Sequence, residues 1–111
     1  MSKQPDEYIK HILKEIDYLT SEAINITLVD LVKDETKMRA FARSLEIIGE
    51  AAKKIPKDFK ESKPDIDWKA MAGMRDRLVH EYFGVDYEIV WDVITNELPG
   101  LKLRLKPLIK N

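Results

Sequence analysis

Two long stretches of this chain place apolar residues three and four positions apart, and that spacing commits most of the sequence to amphipathic helices. From Pro5 to Leu19, the residues Tyr8, Ile9, Ile12, Leu13, Ile16 and Leu19 fall on one side, as in a helix with one face in a core. Pro5 suits a first helical turn, where its missing N–H costs nothing. A second helix is expected from about Asp34 to Lys54. Its stripe is Met38, Phe41, Ala42, Leu45, Ile48, Gly49, Ala52 and Ile55, and Pro56 ends it. The intervening Thr20 to Lys33 is rich in β-branched residues and reads as a loop followed by a short helix.

The second half repeats the pattern in shorter pieces. Residues 56–65 read as a polar connection. Asp65 or Asp67 can cap a third helix carrying Trp68, Met71, Ala72, Leu78 and Val79, which Gly84 stops. Asp86 then caps a fourth, with Ile89, Val90, Trp91, Val93, Ile94 and Leu98. Pro99-Gly100 should kink or break it before Leu101 to Ile109 resumes. Alternating runs bounded by turn pairs are missing, so no strand is expected. With 111 residues there is room for one domain. The expected fold is all-α, an up-and-down bundle of four to five helices.

Composition narrows the chemistry. The chain has no cysteine, which removes disulfides, thiolate catalysis and thiolate metal sites together. Its formal charge is −1, from 19 Lys and Arg against 20 Asp and Glu, so there is no global attraction to nucleic acid. Lys102, Arg104, Lys106 and Lys110 make the end of the chain locally basic. Solvated lysines near a helix C-terminus account for such a run without any ligand. No apolar run approaches the roughly 18 residues of a membrane span, and the start MSKQPDEYIK is too polar for a signal peptide. A cytoplasmic protein is expected.

One segment concentrates reactive side chains: Met74-Arg75-Asp76-Arg77-Leu78-Val79-His80-Glu81-Tyr82-Phe83-Gly84. The chain's other histidine, His11, lies among lysines on the first helix. If the segment is helical, Asp76 and His80 stand one turn apart and about 40° around the axis. A carboxylate so placed can fix the imidazole tautomer, as a general acid or base requires. Arg75 and Tyr82 would differ by only about 20°, but Arg75 and His80 by about 140°. Aiming both at one atom then needs Arg75 to wrap round, a distorted helix end near Gly84, or a second copy across a two-fold axis.

An arginine and a histidine without thiol or metal ligands suit phosphodiester transfer in RNA. Imidazole can take the 2′-hydroxyl proton or protonate the leaving 5′-oxygen, while guanidinium stabilises charge building on phosphorus. The nucleophile belongs to the RNA, so neither a cofactor nor a metal is required. By spacing alone, the same residues more often describe a salt-bridged structural helix than a nuclease, and by themselves they go no further than a possible phosphate site. Glu46 and Glu50 share one side of the second helix and could position Arg75 or Arg77, or be plain surface carboxylates. Gly49 and Gly73 suggest close helix approach, and Trp68 and Trp91 read as packing anchors.

Arg75-x4-His80-x-Tyr82 matches the Arg-x4-His-x-Tyr signature of the HepT family, within the wider Arg-x4–6-His pattern of HEPN domains. The run Leu45 to Lys53 resembles that family's second-helix motif, and Asp65-Ile66-Asp67-Trp68 its lead-in to the third helix. Met71 to His80, followed by Tyr82 to Asp86, is very close to its core signature, and Val90-Trp91 and Leu98-Pro99 also fall in place. The resemblance implies a HEPN-like helical homodimer with the Arg and His of both subunits facing a shared cleft. It implies a metal-independent endoribonuclease, the toxin of a toxin–antitoxin pair. Its partner would be MntA, a minimal nucleotidyltransferase that neutralises the toxin by transferring AMP to the motif tyrosine. Carried over, Arg75 and His80 are catalytic, Asp76 is the orienting polar residue after the arginine, and Tyr82 accepts AMP; Arg77, outside that carry-over, reads as a supporting residue for a salt bridge or phosphate positioning and not as a catalyst. The rival reading is a non-catalytic helical partner of a nucleotidyltransferase that holds nucleotide or phosphate without cleaving RNA.

Overall fold

The structure, a computed structural model, describes residues 4–80 and 84–109; for His80 the description extends to the backbone. The first helix, α1, spans Pro5–Ala23, with Pro5 in its first turn as expected. Its stripe of Ile9, Ile12, Ile16 and Leu19 is fully buried, and each such side chain contributes about 1.5–3 kcal/mol by leaving water. The short helix expected before Lys33 is α2, Leu28–Val32. Thr27 and Asp30 start it by exchanging hydrogen bonds between side chain and backbone, at 3.2 and 2.9 Å, which satisfies two donors at the helix start. The second long helix, α3, is Glu35–Lys54, capped by Asp34, whose carboxylate accepts from Lys37 N–H at 3.0 Å. Ile55 turns extended ahead of Pro56.

The connection after Pro56 holds more structure than its polarity suggests. A one-turn helix, α4, covers Lys57–Glu61, and Ser62 Oγ closes it by donating to Phe59 O at 2.6 Å. Phe59 then meets Trp68 edge-on, with ring centroids 6.3 Å apart. Trp68 is buried, and its Nε1–H donates to Lys63 O at 3.1 Å. This indole is a packing anchor.

The third helix departs most from expectation. It is two short pieces, α5 at Trp68–Ala72, capped by Asp67, and α6 at Met74–Leu78, with Gly73 at the joint. Gly73 does not serve a close approach between helices; a Cβ there would meet only Lys69 O and Ala70 O of α5 itself. Gly49 does: its Cβ would lie 3.0 Å from Met71 O and 3.3 Å from Met74 Cβ. Any larger residue would push α5 and α6 away from α3.

After Leu78 the chain leaves the helix. Val79 is extended (φ −104°, ψ 125°), and Val79–His80 (β1) pairs antiparallel with Gly84–Val85 (β2). Strands are therefore present where none was expected. Leu78 O accepts from Asp86 N–H at 2.7 Å, so a carbonyl that a longer helix would use is satisfied by the returning chain. Gly84 has φ +72°, a conformation that favours glycine, and it forms part of the hairpin instead of stopping a helix. Because His80 lies on a strand, the helical offset placing it one turn above Asp76 does not apply.

Asp86 caps α7, Tyr87–Asp92, by accepting from Glu88 N–H and Ile89 N–H at 3.0 and 3.2 Å. No break follows at Pro99-Gly100. A π turn, Val93–Glu97, leads into α8, Leu98–Leu105, and a 3-10 turn closes at Lys106–Leu108. The widened turn sits one residue ahead of Pro99, whose ring would otherwise press on the Thr95 carbonyl.

Four helical arms result: α1, α3, the α5–α6 pair, and the α7-to-α8 rod. The α1 arm packs on α3 and on the rod, and α3 packs in turn on α5 and α6. Phe41, Leu45, Ile48, Met74, Leu78, Ile94 and Leu98 meet the α1 stripe in one continuous core. Among the described residues, no helix is long and apolar enough to cross a membrane.

Candidate functional site

The site residues sit where α6 gives way to the hairpin. Arg75 lies in the first turn of α6 and is exposed. With Lys53 from the last turn of α3, Ala72, Asp76 and Val79, it lines an open concavity of about 380 Å³. Gly49 allows this geometry, because the close approach of α3 to α5 and α6 brings the end of α3 beside Arg75. Asp76 is exposed on the same rim. Val79, 42% exposed, adds apolar surface to it. Neither Arg75 nor Asp76 has a hydrogen bond or ion pair among the described residues.

Arg77 points elsewhere. Two residues beyond Arg75 on the helix, it faces the α7-to-α8 rod and donates to Glu97 Oε2 at 2.7 Å. That hydrogen bond holds the guanidinium above the ordinary arginine pKa against the lowering effect of burial, with Glu97, Asp67 and Asp92 adding attraction. Arg77 thus ties α6 to the π turn.

Glu46 and Glu50 do not reach either arginine. Both face Arg43 on their own helix, at 3.9 and 2.8 Å. Among the described residues, no hydrogen bond or ion pair joins them to Arg75 or Arg77. A helix has many neighbours, and the nearest cation on α3 won. His80 occupies β1, its backbone paired with Gly84. Tyr82 lies outside the described residues. Lys53 is the residue that sequence reasoning missed; as one of several lysines near a helix end it carries no local signal, and only the packing of α3 on α5 and α6 sets it beside Arg75.

An exposed arginine without a partner among the described residues, beside a hairpin that carries histidine, is an arrangement for meeting an anion. Comparison with known proteins decides the family. The profile described as Ribonuclease HepT-like matches residues 8–108. The chain belongs to the HepT-like ribonuclease family. Among its relatives, a protein named "Putative RNase" from Caldanaerobacter subterraneus subsp. tengcongensis is 48% identical over 97% of this chain and 96% of its own length. A protein named "Probable ribonuclease HepT" from Thermococcus cleftensis is 39% identical over 99% of this chain and its whole length. A "Putative RNase" from Methanocaldococcus jannaschii is 38% identical over 94% of this chain and 86% of its own. No solved structure matches. The HepT-like match takes in Arg75, His80 and Tyr82, so the motif lies inside the shared region and not beside it.

Proposed function

We propose that this HepT-like protein is a metal-independent endoribonuclease that cleaves RNA by attack of the 2′-hydroxyl on the adjoining phosphorus. The 2′-oxygen forms the new bond to phosphorus and the bond to the 5′-oxygen breaks. His80 moves a proton at one of these oxygens, taking it from the 2′-hydroxyl or giving it to the leaving 5′-oxygen. Arg75 donates hydrogen bonds to the non-bridging oxygens, where charge accumulates as phosphorus becomes pentacoordinate. Asp76 orients groups at the rim, and Arg77 holds α6 through Glu97.

The observation that carries this reading is the placement of Arg75: exposed, without an acidic partner among the described residues, and five positions ahead of His80 in the chain. A helix end distorted by the hairpin was one of three ways for the two side chains to converge. A second copy was another, and the homodimer implied by the resemblance belongs to this proposal. The concavity is open, and the exposed Val79 at its rim is apolar surface that a second copy would cover.

In this reading the protein is the toxin of a toxin–antitoxin pair working in the cytoplasm, and a minimal nucleotidyltransferase of the MntA kind transfers AMP to Tyr82. The Arg75-x4-His80-x-Tyr82 resemblance supports both. The test is incubation with RNA in excess EDTA. Fragments are expected from unmodified RNA, and none from the same sequence methylated at every 2′-oxygen. Cleavage that needs added metal, or that cuts the methylated strand, overturns the proposal.

A further inference from the structure

We infer that Lys53 is a second phosphate contact of this site, holding the RNA strand beside Arg75; the inference rests on the ribonuclease reading of the same concavity. Three charged residues line that concavity: Lys53, Arg75 and Asp76. Arg75 and Asp76 alone would cancel, and Lys53 is what makes the surface cationic. Its charge is available. Glu50, one turn earlier on α3, is bonded to Arg43 at 2.8 Å, and no ion pair holds Lys53 among the described residues.

The two cations come from different elements. Arg75 stands at the start of α6 and Lys53 at the end of α3, so they approach one strand from two sides. Guanidinium offers a planar fork for two oxygens of one phosphate, whereas ammonium is a compact point charge tolerant of geometry. The division of labour follows: Arg75 serves the phosphate that reacts, and Lys53 anchors a neighbouring one. A plainer role exists, since a lysine in a last turn also favours the helix dipole. Lys54 provides the control. It shares that last turn and is also exposed, but it does not line the concavity.

The experiment compares the full-length protein with its Lys53→Gln, Lys53→Arg and Lys54→Gln variants. It measures binding of a fully 2′-O-methylated single-stranded RNA, which cannot react, across a salt series. One lost phosphate contact on a single strand lowers the slope of log affinity against log salt by about 0.7. Lys53→Gln is expected to show that change and a dissociation constant raised about tenfold at low salt, the size of one charge-assisted hydrogen bond. Lys53→Arg should restore most of both, and Lys54→Gln should match the unaltered protein. An unchanged slope in Lys53→Gln, equal effects of the two Gln variants, or no RNA binding by the unaltered protein each overturns the assignment. Cleavage of unmodified RNA is scored separately. Lys53-dependent binding without any cleavage would keep the phosphate contact and reject the nuclease.

Discussion

Replacing Arg75 or His80 by alanine is expected to lower the RNA cleavage rate about 10²- to 10⁴-fold, the range for losing a general acid or base or a preorganised donor to developing charge. Stability should barely move for Arg75→Ala, within about 0.5 kcal/mol, because the side chain is exposed and its loss strands no partner among the described residues. Thermal unfolding beside the rate measurement separates the two effects. Arg75→Lys keeps the charge but loses the planar fork, so it should recover only part of the rate. A folded Arg75→Ala protein that cuts RNA within a few-fold of the unaltered chain would remove Arg75 from the chemistry. The contrast with Arg77 is informative. Arg77→Ala breaks the 2.7 Å contact to Glu97, so its loss acts through the joint between α6 and the π turn.

The second large effect concerns control. Incubation with ATP and a minimal nucleotidyltransferase is expected to add AMP to Tyr82 and to abolish cleavage. The phenolic oxygen attacks the α-phosphorus of ATP, pyrophosphate leaves, and the phenolic proton is lost. The adduct carries a phosphate two residues from His80 in sequence. A phosphodiester bonded there by Arg75 would occupy the place of the substrate. Tyr82→Phe should escape both modification and inactivation while keeping its nuclease activity. Peptide mass spectrometry checks the site, and adducts found only on other residues would take Tyr82 out of this role.

Much of the scaffold was legible in the sequence because its signals are local and long. The stripes of α1 and α3 span several turns, Pro56 terminates α3, and Asp86 caps α7 through its own side chain. The third helix was misjudged because its determinants are not local. Gly73 looked like a packing glycine, yet it marks a joint. Leu78 ends α6 because Asp86, eight residues on, supplies a backbone N–H to its carbonyl. Strands of two residues are too short for alternation to show. At Pro99 a kink or break was expected; the helix does not break there, and the turn before it is widened, a solution that residue types do not announce. The reactive triplet itself was found through residue chemistry and family resemblance. The helical angle expected between Asp76 and His80 does not survive, because His80 lies on β1.

In the proposed mechanism the RNA supplies its own nucleophile, and this chain supplies a guanidinium and an imidazole around it. The most direct measurement is the identity of the new ends, read by mass spectrometry on a short RNA cut in excess EDTA. The account predicts a 2′,3′-cyclic phosphate on the upstream fragment and a 5′-hydroxyl on the downstream one. Ends bearing 5′-phosphate and 3′-hydroxyl, the signature of water attacking phosphorus, would contradict it.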